Sequence, residues 1–292
     1  MNKTQTPYIG RFAPTPTGPL HFGSLVAALA SYLDAKAHNG RWLLRIEDLD
    51  PPREDPNASE RIPEQLRQHG LLWDGDIQFQ SQHSDRYERA LKQLADTGFT
   101  FPCQCSRKQL AGHQGLHQGT CSIANANNPA AIRLQVPDKA YNLHDRVFGH
   151  YQQSLLHDVG DQVLKRKDGL YAYQLAVVVD DQAASITHVV RGVDLLDNTP
   201  RQLYLMQCLG YSEPQYLHVP LALNQDGQKL SKQNQATAIN GKDAKANLLA
   251  ALAFLQQDIT PQMRSGSLET LLKQAIQNWL PSRIKPNHSG LI

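Results

Sequence analysis

The chain has 292 residues, 40% hydrophobic and 19% charged, which excludes a disordered polymer and allows one large domain or two smaller ones around a buried core. Its formal net charge is only +2, so there is no global basic field, and any nucleic acid must be held by a local patch. Met1 to Pro7 is polar, and the apolar run Leu175 to Val179 is far too short to span a bilayer, so neither a secretory signal nor a membrane helix is expected and the expected compartment is the cytoplasm.

Tyr8 to Ala13 predicts a short buried strand, stopped by Pro14, Pro16 and the Gly18-Pro19 pair. From Gly23 to His38, Leu25, Leu29, Tyr32 and Leu33 recur at helical spacing, with Gly40 as the stop. Arg41 to Ile46 reads as a second strand. Such a β-α-β unit implies parallel pairing through a right-handed crossover, the start of a doubly wound sheet. Helices are expected over Ser59–His69 and Ser84–Thr97. From about Pro102 to Lys167, clustered cysteines and the polar tract Ala124–Pro129 mark an insertion. Beyond Leu170, Ala176–Val179 and Ile186–Arg191 read as core strands. Pro200–Leu209 reads as a helix capped by Asn198 or Thr199, with Pro in its first turn. Leu221–Leu223 reads as a strand running into the turn Asn224-Gln225-Asp226-Gly227. Helical pattern returns over Lys242–Gln257 and Leu268–Leu280. The expected organisation is a catalytic domain in two halves, 1–101 and 169–235, split by the insertion 102–168 and followed by a short helical region, 236–292.

Two motifs suit a nucleotide. A helix that starts near His21 after a Pro/Gly-rich turn offers free N–H groups and the positive end of its dipole to phosphates. Gly18 and Gly23 permit close backbone approach, and His21 can donate to a phosphate oxygen, although a His there is also an ordinary cap. Lys229 and Lys232 flank Leu230-Ser231 on a loop after a strand and a tight turn. That loop can bring two positive charges onto a triphosphate; alone it is equally a solvated basic loop. Their co-occurrence at the first and last strands of one α/β domain favours ATP.

The stretch Arg11-Phe12-Ala13-Pro14-Thr15-Pro16-Thr17-Gly18-Pro19-Leu20-His21-Phe22-Gly23-Ser24 resembles the opening of glutamyl-tRNA synthetases. Arg45-Ile46-Glu47-Asp48-Leu49-Asp50-Pro51 resembles their second strand, and Lys229 to Gln233 resembles the lysine signature of class I aminoacyl-tRNA synthetases. The motifs occur in the family's order over most of residues 8–240. Two positions depart: Ser24 stands where many class I enzymes have His, and Gln233 closes the lysine motif in place of Ser. The resemblance implies an α/β class I synthetase fold, a Rossmann-type doubly wound parallel sheet with a zinc-containing insertion and a short helical C-terminal region. It implies that His21, Lys229 and Lys232 are catalytic, that His21, Gly23, Ser24 and Lys232 bind ATP, and that Mg²⁺ enters with ATP.

Glutamate presents two carboxylates and an ammonium, and the planar fork of Arg is the natural clamp for a carboxylate. Arg11, Glu47 and Arg191 fall at strand ends, where open α/β sheets bind ligands. The resemblance places glutamate on Arg11, Phe12, Ala13, Pro14, Thr15, Glu47, Tyr173 and Arg191, with Glu47 facing the amino group and Arg191 the side-chain carboxylate. A purely structural alternative is an internal Arg11–Glu47 or Arg191–Asp194 ion pair.

Cys103, Cys105 and Cys121 supply three thiolates at a spacing that suits tetrahedral zinc. His117 is the first choice for a fourth ligand and His113 the second; three ordinary reduced cysteines are the alternative. The resembling family has Tyr at the position of His117. A closed site of this kind is a structural staple.

Only residues 234–292 follow the lysine motif, fewer than the helical domain with which full-length glutamyl-tRNA synthetases read the anticodon. The resemblance is therefore nearest to a truncated branch of the family, which places glutamate on the queuosine base in the anticodon of tRNA(Asp). The expected partners are ATP, L-glutamate and tRNA(Asp) carrying queuosine, with no membrane, and the expected state is a monomer. The rival readings are a compact enzyme charging the 3′ end of tRNA(Glu), a non-catalytic tRNA-binding paralogue and a generic nucleotidyltransferase. Arg107, Lys108, Arg133, Lys165, Arg166 and Lys167, in or near the insertion, are either contacts for RNA phosphates or solvated charges.

Overall fold

The computed structural model describes residues 7–111, 115–119, 121, 128–223, 237–286 and 290–291. Strand β1 (Ile9–Phe12) runs through a Pro/Gly turn into helix α1 (Phe22–Ala37), and β2 (Arg41–Ile46) returns parallel to it, pairing Arg11 with Leu43 and Phe12 with Leu44. Leu25, Leu29 and Leu33 of α1 are fully buried, each contributing roughly 2 kcal/mol. The chain leaves α1 through Asn39, which takes the left-handed conformation at φ 53°. A Cβ on Gly40 would stand 2.6 Å from the Tyr8 carbonyl oxygen, so only glycine lets the returning chain pass β1.

Helix α2 (Ala58–Gln68) precedes the short β3 (Gln78–Phe79), which adds to β2 in parallel, and α3 (Ser84–Asp96) follows. The chain then changes character. β4 (Thr100–Cys103), the single turn α4 (Arg107–Leu110), β5 (Ala131–Leu134), the hairpin β6 (Ala140–Asp145) and β7 (Gly149–Ser154), and β8 (Gln162–Lys165) follow. All their pairings are antiparallel, in the order β4-β5-β8 with β6-β7 separate.

The parallel architecture resumes with α5 (Tyr173–Ala183), β9 (His188–Gly192), α6 (Thr199–Leu209) and β10 (Gln215–Val219), with β9 and β10 parallel. β9 lies beside β1: the Thr187 N–H donates to the Ile9 carbonyl and the Ile9 N–H to Thr187 Oγ1, both at 2.9 Å. The spatial order is thus β3-β2-β1-β9-β10, and the winding reverses between β1 and β9. That reversal is the topological switch point at which open α/β sheets bind ligands. β11 (Ala222–Leu223), α7 (Ala244–Phe254), α8 (Pro261–Ser265), α9 (Leu268–Gln277) and the short β12 (Gly290–Leu291), which pairs with β11, complete the described chain.

Side chains alternate across the sheet as strand geometry requires. Trp42, Leu44, Ile46, Val190, Leu217 and Val219 join one core with α1, α7 and α9. Leu43, Val189 and Tyr216 join the other with α3, α5 and α6. Helices therefore cover both faces.

Four expectations change. Ala176–Val179 is not a strand but the middle of α5, where every residue from Leu175 to Asp181 is buried. A short run apolar on all sides has no periodicity to separate helix from strand. The strand expected at Ile186–Arg191 begins two residues later. β10 was not anticipated, because Tyr216-Leu217-His218-Val219 carries a His inside its apolar run. Finally, Asn198 stands at the α6 N-cap but makes no capping bond there; its Oδ1 accepts instead from Gln174 Nε2.

Candidate active site and metal centre

The carboxyl ends of β1, β2 and β9 carry a buried charged cluster. Asp181, on the last turns of α5, is its hub. It accepts from Arg11 Nε at 3.1 Å and Nη2 at 3.2 Å, and from Arg45 Nη1 at 2.7 Å. Arg45 Nη2 in turn reaches Glu47 Oε1 at 3.2 Å. All four side chains are buried. Two guanidiniums and two carboxylates balance, which makes charges at this depth tolerable. Glu47 therefore pairs with Arg45 and Arg11 with Asp181; the Arg11–Glu47 pair weighed as the structural alternative does not form. Burial weighs on both carboxyls. For Asp181 the Arg11 and Arg45 guanidiniums outweigh it and hold the carboxyl below its ordinary range. For Glu47 burial wins over Arg45 and Arg11 and pushes the carboxyl up.

Tyr173, at the first position of α5, and Arg191, on β9, face the same cluster. Burial raises the Tyr173 hydroxyl, whose charge also senses Arg191, Glu47, Arg11 and Asp181. Arg191 donates through Nε to His218 Nε2 at 3.1 Å and through Nη2 to Thr199 Oγ1 at 2.8 Å and to the Leu195 carbonyl at 3.3 Å. Its guanidinium lies over the Tyr216 ring at 5.4 Å. Of the segment 11–15, Phe12 turns its side chain into the core against Trp42, so only its backbone is available to a ligand. Ala13 and Pro14 are half-buried and Thr15 is exposed. The Glu47 N–H donates to the Pro14 carbonyl at 3.0 Å, which fixes that turn against the cluster.

The nucleotide-type turn sits beside it. His21 caps α1, its Nδ1 accepting from the Ser24 N–H at 3.3 Å, so the ring proton is on Nε2. Gly18 takes φ 142°, a conformation glycine supplies without strain. Gly23 and Ser24 form the first turn of α1. Lys229, Lys232 and the whole turn from Asn224 to Ala236 lie outside the described residues, but the chain that follows is tied to His21. Ala238 forms an antiparallel bridge with His21, and the Ile239 N–H donates to the Leu20 carbonyl at 3.0 Å. Gln65 of α2 clamps both, its Oε1 accepting from the Leu20 N–H at 2.7 Å and its Nε2 donating to the Ile239 carbonyl at 2.8 Å. Residues 238 and 239 thus run beside the start of α1.

Cys103, Cys105, His117 and Cys121 converge, with one donor atom from each lying within 4.8 Å of the others. The Cys105 and Cys121 sulfurs are 3.5 Å apart; zinc–sulfur bonds of about 2.3 Å in a tetrahedron set sulfurs about 3.8 Å apart. The donor set and its spacing fit a closed metal site. His117 Nδ1 meets Asp161 Oδ2 at 2.8 Å, which orients the ring as outer carboxylates do for histidine ligands. Asp161 Oδ1 is itself held by the Val136 N–H at 2.9 Å. Crowding splits the thiols: burial and its two Cys neighbours push Cys105 up to about 11. Burial also opposes ionisation of Cys121, but the Gln104 N–H and His117 bring it down to about 6. His113, the second choice, lies outside the described residues.

Four of the basic residues near this centre are engaged by the protein itself. Lys165 pairs with Glu88, Arg166 with Asp168 at 2.6 Å, and Lys167 donates to the Gln104 carbonyl at 2.7 Å. Arg133 donates to the Asp161 carbonyl at 2.6 Å. Sequence reasoning missed Arg45, Asp181, His218 and Asp145. Arg45 was legible as a charge inside an apolar strand, and Asp180-Asp181 as carboxylates closing an apolar run; both demand buried partners.

A parallel sheet with a helix start of the phosphate-binding type and a buried charged cluster at its switch point is the frame of a class I synthetase catalytic domain. The chain belongs to the family described as class I tRNA synthetases (E and Q), catalytic domain, whose model matches residues 9–257. It is 53% identical over 282 residues to a protein of Pseudomonas putida named glutamyl-Q tRNA(Asp) synthetase, covering 96% of each chain. A protein of the same name from Pseudomonas aeruginosa is 51% identical over 278 residues, covering 95% of each. Among solved structures it resembles a glutamate tRNA ligase of Elizabethkingia meningosepticum in complex with its amino acid, with TM-score 0.81 and 25% identity over 97% of this chain and 66% of that one. Among the described residues no helix is long and apolar enough to cross a membrane.

Proposed function

We propose that the chain activates L-glutamate with ATP and transfers it to the queuosine base in the anticodon of tRNA(Asp). The observation that carries this reading is the meeting of Arg11, Glu47, Tyr173 and Arg191 at the switch point. A site for glutamate needs one anionic and two cationic contacts, and that cluster supplies Glu47 for the ammonium and Arg11 and Arg191 for carboxylates. The acceptor comes from the Pseudomonas relatives, whose names specify tRNA(Asp) and which this chain matches over 96% and 95% of its length.

In the first step the glutamate α-carboxylate attacks the α-phosphorus of ATP and pyrophosphate leaves. His21 Nε2–H, the Gly23 N–H, the Ser24 hydroxyl, Lys229 and Lys232 hold the phosphates and neutralise charge that develops on them. Mg²⁺ arriving with ATP supplies further neutralisation when bound. In the second step a hydroxyl of the queuosine cyclopentenediol attacks the acyl-adenylate and AMP leaves. No protein nucleophile is required; positioning and charge do the catalysis. Residues 1–101 and 169–235 are read as the halves of the catalytic domain, 102–168 as the insertion and 236–292 as a helical C-terminal region. Zinc on Cys103, Cys105, His117 and Cys121 would staple the insertion and take no part in the chemistry. The enzyme is read as a cytoplasmic monomer.

Likeness to the Elizabethkingia ligase supports a second reading, a compact enzyme that charges the 3′ end of tRNA(Glu). Glutamate-dependent ATP–pyrophosphate exchange without tRNA tests the first step of both. Transfer of labelled glutamate to tRNA(Asp) or to tRNA(Glu) separates them.

A further inference from the structure

Behind Arg191 runs a buried chain of three side chains drawn from three parts of the fold: Asp145 at the end of β6, His218 on β10 and Arg191 on β9. His218 is 0% exposed and Asp145 1%. Asp145 Oδ2 lies 2.7 Å from His218 Nδ1 and also accepts the His218 backbone N–H at 3.0 Å. On the other side of the ring, Nε2 lies 3.1 Å from Arg191 Nε. Arg has donors and no acceptor, so His218 Nε2 must present a lone pair and the ring proton must sit on Nδ1. Asp145, an acceptor only, selects that tautomer. A protonated ring would oppose N–H to N–H at Arg191, and burial shifts the ring in the same direction, towards its neutral form.

We propose that Asp145 and His218 are positioning residues that aim the Arg191 guanidinium at a carboxylate of the amino-acid substrate. The proposal rests on the reading of Arg191 given under Proposed function. The geometry says why aiming is needed. Nε is held by His218 and Nη2 by Thr199 and Leu195, while Tyr216, stacked against His218 with an interplanar angle of 6°, covers the guanidinium face. Among the described residues Nη1 alone has no protein acceptor, and it is the donor presented to the substrate. The Asp145 carboxylate is rigid in turn: its Oδ1 takes the N–H groups of Val147 and Phe148, each at 2.9 Å. The next residue, Arg146, is anchored on Asp34 of α1 at 2.5 Å. The β6–β7 hairpin therefore reaches out of the segment that bears the metal cluster and sets the substrate clamp of the sheet.

The test uses the full chain. In ATP–pyrophosphate exchange, His218→Leu is expected to raise the glutamate KM by roughly 10–100-fold, the range for a buried charged donor left without its acceptor, with the ATP KM unchanged. His218→Gln, which can accept from Arg191 and donate to Asp145, is expected to stay within about threefold of the native KM, since it keeps both bonds. Nitrogen NMR of the unaltered protein is expected to show His218 with a pyrrole-type Nδ1 and a pyridine-type Nε2. A protonated Nε2 overturns the proposal even if His218→Leu fails to fold. Arg191→Ala is measured alongside. If it raises the glutamate KM and His218→Leu does not, the positioning role is wrong. If Arg191→Ala leaves the glutamate KM unchanged, the reading of Arg191 itself fails, and the proposal with it.

Discussion

Arg11 and Asp181 stand 170 positions apart in sequence and are joined in a buried ion pair, Nε to Oδ1 at 3.1 Å. The pair ties β1, which carries the first sequence motif, to the end of α5 across the switch point. Arg45 shares the same carboxylate, so Asp181 sets where both guanidiniums can point.

Removing that hub is expected to be costly. Asp181→Ala leaves two buried guanidiniums facing one remaining carboxylate, and breaking a buried pair from one side typically costs about 3–5 kcal/mol. Urea denaturation of the two proteins checks this; a loss under about 1 kcal/mol would show that water or another anion replaces the carboxylate. The pH dependence has a definite sign. Asp181 titrates below its ordinary value of 3.8, so its contribution is present above that pH and disappears as pH falls through the lower folded-state value. Glu47 is raised above 4.5, so its term runs the other way: full below 4.5 and lost as pH rises through the folded-state value.

With Glu47 as the proposed contact for the ammonium, an acid limit on substrate binding is expected. Its carboxyl loses charge at a higher pH than an ordinary glutamate, and with it the contact for the ammonium. Glutamate affinity, measured by calorimetry, is expected to fall on acidification from above pH 4.5. Glu47→Gln is expected to weaken binding roughly 10–100-fold, as for loss of a charged hydrogen bond, and to flatten that acid limb. An unchanged limb in the variant would assign it to another group.

Metal analysis of the purified protein is expected to find one zinc per chain, lost in Cys105→Ser. Asp161→Asn is expected to weaken metal affinity about 10–100-fold without altering any ligand, as outer-shell changes do. His117→Tyr, which installs the residue of the resembling family, is expected to retain metal. Equal zinc content in native protein and Cys105→Ser would remove the cluster from consideration.

Lys232→Ala is expected to slow adenylate formation by about 3–4 kcal/mol in barrier, the loss of one preorganised donor to developing charge, while glutamate still binds. Pyrophosphate exchange at the native rate would strike Lys232 from the ATP site.

The ends of the cluster were legible in the sequence and its middle was not. Arg11, Glu47 and Arg191 could be marked because they fall at strand ends, and the resemblance to glutamyl-tRNA synthetases added Tyr173 and gave the set its role. β2 and the span of α1 could be read from apolar spacing and from the glycine after the helix. Asp181 was legible as a carboxylate closing an apolar run but not as the partner of Arg11, because Ala176–Val179 reads as a strand, and a strand would have sent Asp181 to the sheet edge. His218 and Asp145 were invisible for a different reason. Their meeting depends on the β6–β7 hairpin reaching β10, a long-range contact with no local periodicity. The cluster of Cys103, Cys105, His117 and Cys121 was legible because thiolate spacing is itself a local signal, whereas Asp161 behind His117 was not.

The central claim is the acceptor. Labelled glutamate, ATP and the purified chain are incubated with tRNA(Asp) from cells that make queuosine and from cells that cannot. Glutamate is expected on the queuosine-bearing tRNA alone, with none on tRNA(Glu). Equal transfer to both tRNA(Asp) preparations, or transfer to tRNA(Glu), would contradict the assignment while leaving the activation of glutamate intact.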